Sequence, residues 1–491
     1  MTEARAGAAA ARATTGVIAA CALIAAGLDA LQLSRPGYLL GGTPDIGVYL
    51  GAAVRLVHGA LPYRDFVLVQ PPGSTLLLSP AGLLSYLTGT RWALAAVRLG
   101  TLLIAAANVV LVGRLMRHRG PLPALVACGV MAVYPAELYA LNAGLLEPLV
   151  DLFCLLGATA VFERGACAPS ARRWLIGGVA LGFAVAVKLP GLLPAMVVAA
   201  FALPAPRRRL LPLAAGGVAG FGVPSLVFFA AAPGSFVRDV VTSQLGRLPS
   251  SGRATLLLRL EEITGIGAGT AAVAAAALVI AVTVVGLTVR GRRVTAVEWF
   301  ALAAALLVGA AQLAPSQYYP QYAALLAPFV AMVLATGVDR LADRVRRPAA
   351  ALAGAGAVLA VLCALAVAAV WGSSVADPGP AVDAVVPAGG CTLSDGPRLL
   401  VPSDRFVSDV PGCTLMIDSF GTMLSYSDDP AAGVAALRDA LDHTDYLVLR
   451  GSAGSWLTGP YAALQGYIAG NFSLVRSGGT WIYVRHGQPV A

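Results

Sequence analysis

Hydrophobic positions in this chain come in long unbroken runs. Apolar windows of about 17 to 25 residues, the length that crosses a ~30 Å hydrocarbon core, recur over 17–371 and then stop. Breaking the runs at arginine clusters, prolines and glycines predicts about eleven spans, near 16–33, 93–115, 121–140, 145–162, 174–187, 190–204, 210–231, 263–289, 297–313, 321–338 and 349–371. The first run has no small-residue cleavage site behind it and reads as an uncleaved signal anchor. The expected fold class is an all-α polytopic membrane bundle over 1–372, followed by a small α/β domain over 373–491.

Two outer loops interrupt the spans, at 34–92 and 232–262. The first opens on the polar turn Gly41-Gly42-Thr43-Pro44-Asp45 and continues as a helix over 46–58. Its Tyr49, Leu50, Val54 and Val57 supply one apolar face, the pattern of a helix lying along a membrane surface. A second turn, Leu61-Pro62-Tyr63-Arg64-Asp65, leads to an apolar helix over 74–87. Counting that helix as a span would put Arg114, Arg117 and Arg119 outside, so it is expected to be re-entrant or interfacial. Past Trp371 the pattern changes to short β-like runs (446–449, 480–484) and short helical ones (431–441, 461–469), bounded by Gly, Pro and Ser turns.

Composition agrees. At 58% apolar, 12% charged and a mean hydropathy of +0.78, most of the chain needs lipid as its solvent, because soluble domains stay near half apolar. Basic residues fall on alternate loops: Arg5/Arg12, Arg114/Arg117/Arg119, Arg164/Arg172/Arg173, Arg207/Arg208/Arg209, Arg290/Arg292/Arg293 and Arg340/Arg344/Arg346/Arg347. These 18 face only the acids Glu3, Glu163, Asp339 and Asp343. Such loops are retained in the cytoplasm during insertion, so the N-terminus lies inside and an odd number of spans leaves 373–491 outside the cell membrane. That segment carries 6 Arg against 11 acids. The formal charge of +9 is therefore inner-loop charge; it speaks for topology and membrane lipids, and no nucleic-acid partner is implied. Cys391 and Cys413 are the pair left outside, where oxidising conditions allow a disulfide, and they are expected to pair; two unrelated buried thiols are the alternative.

Ionisable groups near the membrane ask for a function or a partner. Lys188 is the only lysine among 34 basic residues, set in Ala186-Val187-Lys188-Leu189-Pro190-Gly191 at the outer end of a span. A point charge on a phosphate would explain it, and so would a lysine snorkelling to the interface. Asp45 stands where a carboxylate can take a proton from an acceptor hydroxyl, and equally where a helix N-cap would stand. Asp65 is either a second acid or a turn residue beside Arg64. Glu147 and Asp151, one helical turn apart, line a cavity or partner Arg98. Gln317, Tyr318 and Tyr319 offer amide and phenol groups to a sugar or phosphate, or belong to the interfacial aromatic belt. Arg55, Arg64 and Arg253 are loop cations able to assist Lys188, and Tyr49, His58 and Tyr63 are further first-loop candidates for substrate contact. The outer loops hold no DxD and no histidine cluster, so no metal or other cofactor is implied.

Taken in order, PDIGVYLGAA around Asp45, YRDFVLVQPPG around Asp65, GGVALGFAVAVKLPG reaching Lys188, and QYYPQYAALLAPF resemble the GT-C superfamily of polyprenyl-phosphate-dependent glycosyltransferases. The resemblance is to the branch of protein O-mannosyltransferases and bacterial lipid A aminoarabinose transferases, and it covers 17–371. It implies transfer of a sugar from a polyprenyl-phosphate donor to an extracytoplasmic glycan, lipid or protein acceptor. Asp45 is then the general base, Lys188 contacts the donor phosphate, and Asp65 supports the acceptor or holds the loop. The chain departs from protein O-mannosyltransferases in lacking adjacent Asp-Glu acids at Asp45, and from oligosaccharyltransferases in lacking DxD, so the acceptor class is left open. A lipid phosphate leaves readily once cations hold its charge; one base then suffices, and attack opposite the departing group inverts the anomeric centre. Asp45 and Lys188 are accordingly expected to meet at the outer rim of the bundle. A transporter or flippase of lipid-linked sugars would instead show inverted halves meeting at mid-membrane, and a non-catalytic scaffold would leave both residues dispensable.

Overall fold

The computed structural model describes residues 2–41, 43–245, 256–267, 269–288, 293–313, 318–344, 348–476 and 479–491. Helices dominate: α1 (Thr2–Leu33), α2 (Pro44–Val57), α3 (Gly73–Met116), α4 (Pro121–Val133), α5 (Pro135–Ala143) and α6 (Glu147–Val161). A hairpin of β1 (Phe162–Glu163) and β2 (Ala166–Cys167) follows. Then come α7 (Ala171–Val187), α8 (Leu192–Ala202), α9 (Leu211–Ala231), α10 (Leu256–Thr264), α11 (Gly269–Thr288), α12 (Ala296–Leu313), α13 (Ala327–Ala342) and α14 (Pro348–Trp371). Among the described residues seven helices are long and apolar enough to cross a membrane, and α4 with α5, bent by 47° across Tyr134, make an eighth if they form one span. The predicted spans at 145–162, 174–187 and 190–204 correspond to α6, α7 and α8, of 15, 17 and 11 residues. The chain is a multi-pass membrane protein of the expected class, a helical bundle with a small α/β portion at its C-terminus.

Two compact units are interleaved along the chain, 1–33 with 100–223 and 248–373, and 34–99 with 224–247 and 374–491. In the first, glycine sets how closely helices approach. α6 and α7 meet at Gly157 and Gly177, where an added Cβ would come within 2.6 Å of Leu181 Cγ and 2.5 Å of Val161 Cγ1. At Gly178 and Gly182 of α7 a Cβ would run into the carbonyl oxygens of Leu213 and Gly217 on α9, and Gly216 and Gly220 stand against α7 in the same way. Lipid offers no hydrophobic drive between helices, so close backbone approach through small residues is what holds them together. The outward side of α9 presents Val218, Val223 and Leu226, all exposed as lipid-facing residues are.

The second unit contains α2, the first half of α3, and the C-terminal α/β portion. α3 breaks at Gly89 (φ 81°, ψ 169°), a left-handed position that only glycine adopts readily. Asp404 closes the break, accepting hydrogen bonds from Arg91 N (2.8 Å) and Thr90 Oγ1 (3.2 Å). The C-terminal portion is a four-stranded sheet of β3 (Thr392–Ser394), β4 (Tyr446–Leu449), β5 (Phe472–Arg476) and β6 (Trp481–Arg485), in the order β3-β4-β6-β5. Only β3 and β4 run parallel. The strand β4 is buried along its whole length, as suits a central strand, and packs Leu447 and Leu449 against α16 (Pro430–Asp442) and α17 (Ala463–Asn471) through Leu437, Leu441, Leu464 and Ile468. Cys391, just before β3, is joined to Cys413 with Cα atoms 5.5 Å apart.

The glycine contact between α7 and α9 can be tested directly. Gly182→Leu should destabilise the detergent-purified protein by about 1–3 kcal/mol or more, because the side chain meets backbone that has no room to move. Gly222→Ala on α9, where a Cβ meets open space, should leave the melting temperature unchanged. Equal melting temperatures for wild type and the Gly182 variant would show that the two helices do not touch backbone to backbone.

Candidate active site

In the second unit, Thr43 holds the cap position of α2 and Asp45 falls in its first turn, partly exposed. Asp45 is therefore not the cap; its carboxylate meets the positive end of the helix. Two glycines fix where that end lies. A Cβ on Gly47 would come within 2.6 Å of Arg398 N, and one on Gly51 within 2.8 Å of the Phe406 ring, so the C-terminal segment packs directly onto α2. Ile46, Tyr49, Leu50, Ala53 and Val54 are all buried in consequence. The helix is enclosed within its unit, where the sequence pattern suggested one apolar face against a membrane.

The same packing brings Asp45 within electrostatic reach of Asp418. Asp418 caps α15 (Ser419–Ser425), accepting from Phe420 N (3.1 Å) and Gly421 N (2.8 Å). Burial pushes its carboxyl up to about 6, helped by the nearby Asp45 carboxylate and opposed by the two backbone N–H groups. Next to this pair opens a cavity of about 370 Å³ lined by Asp395, Ser419, Phe420, Arg450 and Trp456. Arg450 Nε donates to Asp395 Oδ2 at 3.0 Å, and Trp456 Nε1 to Ser419 Oγ at 2.9 Å. A carboxylate, a guanidinium and an indole on one wall can grip a polyhydroxylated or phosphorylated group. Sequence reasoning missed all of these residues. Its one available signal, Asp418-Ser419 ahead of a short helical run, reads as a cap and says nothing of Asp45.

The other first-loop candidates are held in place by neighbours. Arg55 is buried, donates to Thr414 O (3.2 Å) and lies 4.8 Å from the Phe406 ring; burial lowers its pKa to about 10. Arg64 forms a two-pronged pair with Asp65 at 2.8 and 2.7 Å, while Asp65 Oδ2 accepts from Leu61 N (2.7 Å). The Arg64 hydrogen bond keeps the Asp65 carboxyl below the usual carboxylate range against a modest burial effect. Asp65 also borders a cavity of about 360 Å³ with Asp439 and His443. Tyr63 is buried with φ 69°, donates to Gln70 O (2.6 Å) and packs edge-on against Phe236. His58 stacks on Tyr86 at 4.1 Å, and Tyr49 is 4% exposed.

In the first unit, Lys188 caps the C-terminus of α7 in an extended conformation. Its Nζ lies 2.6 Å from Glu147 Oε1, in a pair with side chains 12% and 4% exposed, and 5.3 Å from the Tyr322 ring. Tyr322 in turn meets Tyr318 and Tyr319 edge-on, and Arg259 lies 5.3 Å from the Tyr318 ring. Gln312 Nε2 donates to Tyr322 O at 2.7 Å, fixing this group from behind. The structure thus gathers Lys188, Glu147, Tyr318 and Tyr319 with Tyr322 of the same tyrosine-rich run, and adds Arg259, which the sequence did not single out. Glu147 and Asp151 are both buried on α6, and the partner of Glu147 is Lys188, whereas Arg98 donates to Tyr38 O (2.6 Å). Gln317 and Arg253 lie outside the described residues. Among the described residues no group of three or more His, Cys, Asp or Glu side chains is placed to hold a metal ion.

Comparison with known proteins adds to this geometry. The family model of glycosyltransferase family 87 matches residues 69–316, just over half of the chain. No curated protein matches by sequence. In three dimensions the chain is similar to ArnT from Cupriavidus metallidurans bound to undecaprenyl phosphate, at 15% identity and a TM-score of 0.58 over 96% of this chain and 98% of that one. ArnT in the apo state gives 14% and 0.60 over the same shares. The Archaeoglobus fulgidus oligosaccharyltransferase in complex with Zn and sulfate gives 14% and 0.53, over 96% and 73%. At such identities the likeness is one of fold, and the fold is that of the GT-C superfamily. The chain belongs to glycosyltransferase family 87.

Proposed function

We propose that this glycosyltransferase moves a sugar from a polyprenyl-phosphate donor to a hydroxyl of a glycan, lipid or protein acceptor on the outer face of the membrane. In this reading the N-terminus is cytoplasmic and 373–491 lies outside, following the arginine-rich loops. Asp45 takes the proton of the acceptor hydroxyl as its oxygen attacks the anomeric carbon. The bond from that carbon to the phosphate oxygen breaks, the lipid phosphate departs with the electron pair, and Lys188 holds the charge it gains. Attack and departure on opposite faces invert the anomeric centre. Asp65, locked to Arg64 and Leu61 N, holds the first loop.

The observation that carries the reading is the setting of Lys188. A solitary ammonium, 12% exposed, stands just past the last turn of α7 on a carboxylate and an aromatic face. Glu147 holds the ammonium in position, and a donor phosphate would be a further anion on it. The undecaprenyl phosphate bound to ArnT supports a lipid phosphate as the donor's leaving group. At the other proposed role, Asp45 is partly exposed, and its carboxylate helps burial push the Asp418 carboxyl up to about 6.

Asp45→Asn is expected to lower transfer by about 10²–10⁴-fold with donor binding intact and the melting temperature not lowered; near-normal transfer would remove Asp45 from the mechanism. For Lys188 the comparison is with its partner. Lys188→Met should abolish donor binding, whereas Glu147→Gln, which leaves the ammonium in place, should keep measurable binding. Equal loss in both, accompanied by equal loss of stability, would make the pair purely structural, since breaking a buried pair from either side is destabilising.

Asp418 gives a pH test. A carboxyl raised in the fold favours its protonated form, so its share of stability is present below about pH 4 and is lost as pH rises through about 6. Asp418→Asn can keep one of the two cap hydrogen bonds and has no charge to gain, so the fall in melting temperature between pH 4 and 7 should flatten. Asp45→Asn should move the same fall to lower pH by removing the neighbouring charge. A wild-type profile that is flat from pH 4 to 7 would contradict the coupling.

A further inference from the structure

The end of α6 and α7 remote from Lys188 holds a second concave site. A cavity of about 730 Å³, within the ~300–1,000 Å³ typical of ligand pockets, is bordered by Arg114, Arg117, His118, Arg164 and Arg173, with Glu163 as its one acid. Because α7 rises about 1.5 Å per residue over the 17 residues between Arg173's end and Lys188's, the two places are roughly 25 Å apart. This cavity takes no part in the transfer chemistry above.

Its charges divide into two groups. Arg173 is already committed: it pairs with Glu163 and donates to Ala160 O (2.7 Å) and Thr159 O (3.0 Å). Arg119, just outside, is likewise taken up by Glu298 at 2.5 and 2.7 Å. Arg114, Arg117 and Arg164 differ, for among the described residues none of them has an acid partner or a side-chain hydrogen bond. Three guanidinium groups thus border one cavity with their charge unmatched. The hairpin that carries Arg164 is built to hold it there. Arg164 (φ 49°) and Gly165 (φ 85°) form the two-residue tip between β1 and β2, and an arginine in the left-handed region costs about 1 kcal/mol that glycine or asparagine would avoid. A Cβ on Gly165 would come within 2.8 Å of His118 Nε2, so the tip is seated on the imidazole, which is itself held by Leu115 O at 2.9 Å from Nδ1.

We propose that this cavity binds a phosphate ester, held by the forked N–H groups of Arg114, Arg117 and Arg164. The surface beside it favours the headgroup of an anionic lipid as the source. One turn from Thr159 on α6 and from Arg173 on α7, both in the direction of Lys188, Leu156 and Ile176 are exposed, with Leu175 beside them. An acyl chain can follow these apolar side chains while its headgroup stays in the cavity. Arginines that served only to orient the chain during insertion would need to lie on the correct side of the membrane, not around one cavity.

The test uses full-length protein in detergent and native mass spectrometry, with phosphatidic acid, phosphatidylcholine and inorganic phosphate as probes. Wild type should retain phosphatidic acid over phosphatidylcholine. The triple variant Arg114→Gln, Arg117→Gln, Arg164→Gln should bind it about a thousandfold more weakly, as each lost charge-assisted hydrogen bond is worth about tenfold or more. A control with Arg207, Arg208 and Arg344 changed to Gln, which removes the same charge elsewhere, should bind as wild type. Should the Gln variant fold poorly, the Arg→Lys version keeps the charge and should still bind several-fold more weakly, because an ammonium lacks the fork. If inorganic phosphate alone protects wild type but not the cavity variant against heat, while lipid retention is the same in both, the site stands and its ligand is soluble. Equal loss of phosphatidic acid in cavity and control variants, or no loss in either, would overturn the proposal.

Discussion

A buried ammonium at the end of an apolar helix is stabilised by an anion that meets it, and Glu147 is such an anion for Lys188 at 2.6 Å. Much of the first unit is arranged around this pair. Glu147 opens α6, Lys188 closes α7, and the two helices are drawn together by Gly157 and Gly177, so the ion pair joins their neighbouring ends. Tyr322, set by Gln312, covers the ammonium from the other side. Burying such a pair is costly unless its geometry is good, and ionisable residues at membrane depth ask for a function.

The second unit works by the same economy with different means. Gly47 and Gly51 let the C-terminal segment press onto α2, and that contact brings Asp45 within electrostatic reach of Asp418, beside the cavity holding Arg450 and Trp456. Tyr63, Arg64 and Asp65 fasten the first loop through Gln70 O and Leu61 N. The loop is thereby tied down next to α2, which is what the role proposed for Asp45 requires.

The bundle was legible because lipid demands long apolar runs, and helix starts at Pro121 and Pro348 fell where proline allows a helix to start, whereas the span expected over 121–140 is broken before Pro135. The central strand β4 and its neighbour β6 were legible from their β-branched and aromatic runs; β3, three residues long, and β5, an edge strand with polar Ser473 and Arg476, carried too little pattern. What the sequence could not show were contacts across long separations. Gly47 meets Arg398, Arg55 meets Thr414 and Lys188 meets Glu147, and no periodicity reports pairings of that kind. That is why α2 read as a surface helix, and why Asp418, Arg450 and Arg259 went unnoticed. Family membership then fixes the class of reaction, while the roles of Asp45 and Lys188 rest on their chemistry and surroundings.

The central claim is that this chain cleaves a sugar from a lipid phosphate. Purified protein in liposomes, given a radiolabelled polyprenyl-phosphate sugar and a candidate acceptor, measures it most directly. The account predicts free polyprenyl phosphate released in step with glycosylated acceptor. Recovery of the lipid-linked sugar intact on the opposite leaflet, with no lipid phosphate released, would contradict it.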